Sequence, residues 1–299
     1  MRFVFSPTYR ADIGVHVFPT QKYYLVHDKL KAEGIITENN VLVPEKPSSD
    51  ELLKIIEPEY LDDLLKQRLT ARTLPSEIPV NEAIISAQIL FCGGSYLAAK
   101  LAKDCGVCFH IGGGFHHAFR SHAEGFCYLN DVVFAAVMML EQGIDKIAVV
   151  DCDLHQGNGT AKFFENEKRV FTFSIHQEQL YPIKEKSDID IGLDIGTGDD
   201  EYLQKLGTAL DTVDNDFQPN LVIYVAGADP YILDQLGSLR LTLEGLKKRD
   251  ELVIKRARAR GIPIISVLAG GYAEDINDTV EIHCNTARVM ASAFPPKAE

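Results

Sequence analysis

The sequence predicts an α/β protein, a parallel β-sheet with helices on both faces, in a single domain spanning residues 1–299. Three observations carry that prediction. Short apolar, β-branched runs recur along the chain and helical segments follow them, which is the alternation of parallel α/β folds. The runs are continuously apolar rather than alternating, as strands buried on both faces require. No repeat, low-complexity tract or compositional break marks a second domain.

The elements follow in chain order. Phe3–Phe5 is a first strand candidate. The loop Val43–Asp50 leads into a short helix, Glu51–Ile56, capped by Ser49 or Asp50, whose side-chain oxygens can accept from free backbone N–H groups. Arg72–Pro79 reads as a loop because Pro75 and Pro79 break regular structure. Glu82–Lys103 reads as a long helix. The strand candidates that follow are Val107–Ile111, Ile147–Val150, Val170–Ile175, Leu221–Val225 and Ile264–Leu268. The helix candidates between and after them are Leu129–Gln142, Asn158–Phe164, Asp200–Val213, Thr242–Arg260 and Asp275–Ala293.

Composition narrows the function classes. Lys and Arg number 30 against 43 Asp and Glu, a net charge of −13. Phosphate recognition needs clustered cations, so a nucleic-acid partner is not expected. The longest apolar run, Val132–Leu140, is well short of the ~20 residues that span a bilayer, so no membrane role is expected. Pro7, Arg10 and Asp12 interrupt the start, which does not read as a signal peptide. The expected compartment is therefore the reducing cytoplasm, and the six cysteines are not expected to form a disulfide framework. Cys105 and Cys108 read as an incidental residue beside a buried strand position. The basic residues Lys247, Lys248, Arg249, Lys255, Arg256, Arg258 and Arg260 read as a solvated helix face with intrahelix pairs to Asp250 and Glu251. No oligomeric state follows from the sequence.

In open parallel sheets, ligands bind beyond the carboxyl ends of the strands. The notable polar residues fall there: Gly112–His117, Asp151–His155, Asp229 and Tyr272. On an extended backbone Asp153 and His155 point to the same side and can converge on one metal ion. A carboxylate and an imidazole suit zinc, and a catalytic zinc keeps three protein ligands and one open position. Asp229, made extended by Pro230, is the candidate third ligand. The competing reading is that Asp153 and His155 merely cap the next helix. His116 and His117 suit acid–base work, with Asp151 and Asn158 placed to accept their N–H groups; the competing reading is an ordinary buried or surface pair. Tyr272, protonated at neutral pH, can donate to a developing oxyanion.

Taken together, these residues resemble a known family. His110-Ile-Gly-Gly-Gly-Phe-His116-His117, the Gly125–Asp131 segment (GFCYLND), the Asp151–Gly159 segment (DCDLHQGNG), Gly227-Ala-Asp229-Pro230 and Gly270-Gly271-Tyr272 are similar, in order and spacing, to the zinc-dependent histone deacetylases of the arginase/deacetylase superfamily. GGGFHH, HQGNG and the Gly198–Tyr202 stretch are most like the class IV branch. The resemblance implies zinc on Asp153, His155 and Asp229. It implies His117 as general base and then acid, and His116 as its electrostatic partner. Asp151 would orient His116 and Asn158 would orient His117, with Asn158 standing where class I relatives carry Asp. Tyr272 would polarise the acyl carbonyl. Gly125, Phe126 and Tyr181 would wall an acyl-lysine channel. Ser174 and Ile175 resemble part of a K⁺ site.

Two positions refine what the resemblance implies. Gly157 stands where binuclear manganese relatives carry Asp, which implies a single metal. Leu236 stands where acetylpolyamine-selective relatives carry a gatekeeper Glu, which disfavours a polycationic substrate. His16-Val-Phe-Pro19 only loosely matches the family's first motif. The expected function is zinc-dependent hydrolysis of an Nε-acyl-lysine amide in a peptide. The alternatives are an amidohydrolase acting on a small acylated amine and a non-catalytic acyl-lysine binding module.

Overall fold

The computed structural model describes residues 1–295, so residues 296–299 of the expected domain lie outside the described residues. The apolar runs pair as eight parallel strands of one sheet: β1 Arg2–Val4, β2 Val41–Leu42, β3 Val107–His110, β4 Ile147–Asp151, β5 Val170–Gln177, β6 Ile189–Leu193, β7 Leu221–Val225 and β8 Ile264–Val267. Their spatial order is β2-β1-β3-β8-β7-β4-β5-β6. Every residue of β3, β4, β7 and β8 is buried, which explains their unbroken apolar sequences: both faces are covered. The flanking helices are α1 Lys22–Ala32, α2 Ser49–Leu52, α3 Pro58–Leu65, α4 Glu82–Cys105, α5 Asp131–Glu141, α6 Asn158–Phe164, α7 Asp199–Thr212, α8 Leu243–Ala259 and α9 Ile276–Ala293.

Four elements escape the sequence reading. β2 is two residues long, too short for any pattern. β6 is an edge strand whose Ile189, Ile191 and Leu193 alternate with Asp190 and Gly192, so it lacks the continuous run. α1 is polar on average, and α3 begins at Pro58, which opens a helix as readily as it breaks one. The cap of α2 is Ser48 rather than Ser49 or Asp50. Only Ser48 stands three residues before Glu51, where hydroxyl and carboxylate can exchange bonds with each other's backbone N–H. α4 is long and apolar enough to cross a bilayer by length and composition, which the short run Val132–Leu140 did not anticipate. Here its apolar residues, among them Ile85, Leu90, Phe91 and Ala98, are buried in the core.

The chain lays down β4, β5 and β6 in one direction, then returns to place β7 and β8 on the other side of β4. A crevice forms beyond the carboxyl ends where a sheet reverses in this way. The start of α5 bounds it. Asn130 accepts the Val133 N–H as N-cap (2.9 Å) and donates to the His116 carbonyl (3.1 Å) and to Thr160 Oγ1 (3.0 Å). Asp131 accepts the N–H groups of Gly114 (3.0 Å) and Phe115 (2.8 Å), and Ser95 donates to its other oxygen. The segment 125–131 is thus a clamp on the loop after β3. Asn130→Ala removes the cap and strands buried partners, so we expect a loss of about 2–4 kcal/mol in urea denaturation. A loss under about 0.5 kcal/mol would show that the clamp is dispensable.

Candidate active site

The loop after β3 carries Gly112–Gly114 and then the two histidines. Gly113 and Gly114 have φ of 71° and 89°, and a Cβ at Gly114 would lie 2.5 Å from the Cα of Ala269. Only glycine lets this loop press against the one after β8. His116 Nδ1–H donates to Asp151 Oδ2 (2.7 Å), and His117 Nδ1 lies 2.8 Å from Asn158 Oδ1. The rings are 4.2 Å apart, centroid to centroid. Their environments push them in opposite directions. Burial lowers His116, but the charges of Asp151 and Asp153 outweigh it and raise the imidazole to about 9. For His117 the pull of Asp153 is weaker; burial and the charges of His116 and His155 push it well below its usual 6.5.

Asp153, His155 and Asp229 are buried, and their ligand atoms lie within 4.8 Å of one another. His155 Nδ1 stands 3.3 Å from Asp153 Oδ1 and 3.2 Å from Asp229 Oδ2. The convergence does not come from strand alternation, because β4 ends at Asp151 and both ligands sit in the loop beyond it. Tight turns make it instead. Asp151 accepts the Asp153 N–H (3.0 Å) and Asp153 accepts the His155 N–H (2.9 Å). The Leu154 N–H holds Asp229 (3.0 Å) and the Gly270 N–H holds Asp153 (2.8 Å). A Cβ on Gly227 would collide with Asp153, and one on Gly270 with Asp229.

The charges in this cluster call for a cation. Burial and the neighbouring Asp153 push Asp229 up to about 6. Burial lowers His155, yet bonds to Asp153 and Asp229 carry it to about 10. Two buried carboxylates beside one imidazole fit a divalent ion such as zinc. A Cβ on Gly157 would crowd the Asp151 carboxylate, and glycine there supplies no further ligand.

Arg249 corrects the sequence reading. It is fully buried, as is Asp250, and does not belong to a solvated face. Its Nη1 donates to the carbonyls of Gly227 (2.6 Å) and Cys152 (3.2 Å), joining the two loops that carry the ligands. Asp250 pairs with it and is itself held by Tyr224 and Thr286. The signal was present: Arg249 and Asp250 fall within the stripe Leu246, Val253, Ile254 and Ala257 that faces the core. The rest of the run is closer to expectation, with Lys255 on Glu251 and Arg256 on Asp211 and Asp214.

A channel runs from the surface to this cluster, its outer part a cavity of about 200 Å³ where Phe126, Leu180, Tyr181, Leu236 and Tyr272 meet Glu77, His117 and His155. Gly125 and Phe126 have φ of 48° and 67°, and a Cβ on Gly125 would sit 2.8 Å from the His117 ring. Tyr181 crosses His117 edge to face at 5.4 Å. Tyr272 is placed by its own N–H on Asp234 (2.7 Å) and by contact with Phe126 and Phe18. Phe18, in the loosely matching His16–Pro19 segment, therefore belongs to the site. So does Lys22, a buried ammonium that donates to the Ala269 carbonyl and lies 5.9 Å from the Tyr272 ring centre. The sequence reading missed Lys22 because α1 itself was missed, and gave Phe18 no role because its segment matches the family's first motif only loosely. Ser174 and Ile175 are buried on β5, with Ser174 paired in register to Asp151 and its Oγ 2.9 Å from His176 Nδ1.

A parallel α/β sheet with this cluster at its carboxyl edge defines an arginase/deacetylase-type protein. The histone deacetylase domain model matches residues 16–287, and the chain belongs to the histone deacetylase family. It is 37% identical to an uncharacterised protein of Picosynechococcus over 97% of this chain and 98% of that one. It is 33% identical to histone deacetylase 2 of Arabidopsis thaliana, over 89% of this chain and 73% of that protein. It is 30% identical to a probable deacetylase of Archaeoglobus fulgidus, over 82% of this chain and 73% of that protein.

Arg249→Met would leave Asp250 buried without its partner and free both ligand loops. We expect a stability loss of about 3–5 kcal/mol and zinc affinity weakened about 10–100-fold. Thermal denaturation and competition with a chelator measure the two. Unchanged zinc affinity would remove Arg249 from the support of the metal site.

Proposed function

We propose that this protein, as a single catalytic domain, hydrolyses the amide of Nε-acyl-lysine in peptides, with one zinc ion held by Asp153, His155 and Asp229. One observation carries the reading: Asp153, His155, a histidine pair of opposed basicity and Tyr272 line one cavity, with Asp229 beside them in the same cluster. Zinc bound there would polarise the acyl carbonyl and acidify a water molecule. The chain's own groups do the rest. His117, neutral at neutral pH, takes the proton of the attacking water at Nε2 and passes it to the departing lysine amine. His116, held charged by Asp151, supplies a fixed positive field beside the reacting carbon. Tyr272 donates its O–H to the carbonyl oxygen as negative charge grows there.

Gly125, Phe126 and Tyr181 would form a sleeve for the lysine methylenes, and Leu236 itself offers no carboxylate to a polycation, leaving Glu77 as the carboxylate that lines this cavity. Ser174 and Ile175, beside the Asp151 strand end, would contribute to a K⁺ site. The class IV assignment rests on GGGFHH, HQGNG and Gly198–Tyr202.

His117→Ala and Tyr272→Phe are expected to lower turnover roughly 10²–10⁴-fold while zinc content is kept. Full turnover in both variants would refute the assigned roles. A base must be neutral to accept a proton, so activity falls as pH drops through its pKa. The acid limb of kcat/KM should lie below 6.5, because burial lowers His117. Substrate class is read by comparing acylated lysine peptides with free acetylated amines, with a chelated control. Zinc-dependent release from peptides supports the proposal, hydrolysis of the free amine alone supports the small-molecule reading, and bound zinc without hydrolysis supports a binding module.

A further inference from the structure

His117 can serve as base only if Nε2 is free of hydrogen, so its proton must sit on Nδ1. The partner of Nδ1 is Asn158, and an amide does not enforce this. Its oxygen would accept from Nδ1–H, but its NH₂ group, turned inward, would donate to a bare Nδ1 and leave the hydrogen on Nε2. Something beyond Asn158 has to settle which way the amide faces.

We propose that Glu124 settles it, as a positioning residue that holds Asn158 in one orientation and so fixes the tautomer of His117. The proposal rests on the reading of His117 as base. Asn158 Nδ2 donates to Glu124 Oε1 at 2.8 Å. An ionised carboxylate only accepts, so the amide must turn its NH₂ toward Glu124 and its oxygen toward His117. The Gly159 N–H, 3.0 Å from Asn158 Oδ1, favours the same orientation. Burial pushes the Glu124 carboxyl up, but the neighbouring His122, 3.8 Å away, and bonds from Asn158 and Tyr181 hold it below its usual range, in the ionised form.

Glu124 is itself held in place. Its N–H and carbonyl both bond to Cys127, at 3.0 and 2.9 Å, closing the turn that contains Gly125 and Phe126. Its Oε1 also accepts the Tyr181 O–H at 3.1 Å. The side chain thus joins two parts of the site: through Asn158 it reaches the base, and through Tyr181 it reaches the channel wall. Nothing in the His-pair motif itself signals this, because Glu124 lies seven residues beyond His117 and acts through a third residue.

The test reads the tautomer directly. Zinc-loaded protein labelled with ¹⁵N-histidine reports whether Nδ1 or Nε2 of His117 carries hydrogen, with the resonance assigned by its loss in His117→Ala. The parent protein should show hydrogen on Nδ1. Glu124→Ala should shift a measurable fraction to Nε2 and lower kcat at least about tenfold. Glu124→Gln can accept but also donate, so it should restore the Nδ1 tautomer and kcat only in part, between Glu124→Ala and the parent. Tyr181→Phe removes the other bond to Oε1 and should leave the tautomer unchanged. Hydrogen remaining wholly on Nδ1 in Glu124→Ala would overturn the proposal, and a fall in kcat without a tautomer change would assign Glu124 to the channel wall alone. Turnover surviving in His117→Ala would sink the base reading, whatever the nitrogen spectra show for Glu124.

Discussion

Asp153 and Asp229 are both buried, and bringing two carboxylates together out of water is opposed by desolvation and by mutual repulsion. The fold opposes that cost locally. Backbone N–H groups of Leu154, His155 and Gly270 point at carboxylate oxygens, and His155 lies between the two side chains. What remains is a demand for positive charge at one point, which a divalent cation meets. The rest of the site is arranged around that point.

Keeping the ligands at that point needs support from outside the loops. The Leu154 N–H already joins the two loops through Asp229, and a second tie from a packed helix fixes them more firmly. Arg249 provides it by holding a carbonyl of each, and the Asp250, Tyr224 and Thr286 network keeps the guanidinium itself from being an unpaired buried charge. The glycines act by absence. Gly227 and Gly270 leave out the atoms that would fill the space taken by the carboxylates.

The two histidines show how one fold sets two basicities side by side. Each Nδ1 faces an oxygen, but one belongs to a charged carboxylate and the other to a neutral amide. The carboxylate raises His116 above neutrality, while burial beside other imidazoles lowers His117. Opposed shifts in adjacent titratable groups are how a site divides labour between fixed charge and mobile proton.

The sequence by itself determined the central strands, most of the long helices, and the placing of Asp153, His155, Asp229, the histidine pair and Tyr272 beyond strand ends; the turns that make them converge are tertiary. Continuous apolar runs have one stable use in a sheet covered on both faces, and motif residues at strand ends need no tertiary detail to be noticed. Tertiary structure decided the edges and the supports. β2 and β6 carry too little apolar pattern to announce themselves. Arg249 looked like surface because charge is usually solvated; only the folded chain brings the Gly227 and Cys152 carbonyls to it, from 22 and 97 residues away. Lys22, Phe18 and Glu124 likewise acquire meaning through neighbours distant in the chain. Local pattern reports which faces are buried, whereas a hydrogen-bond partner is set by spatial proximity that no local pattern encodes.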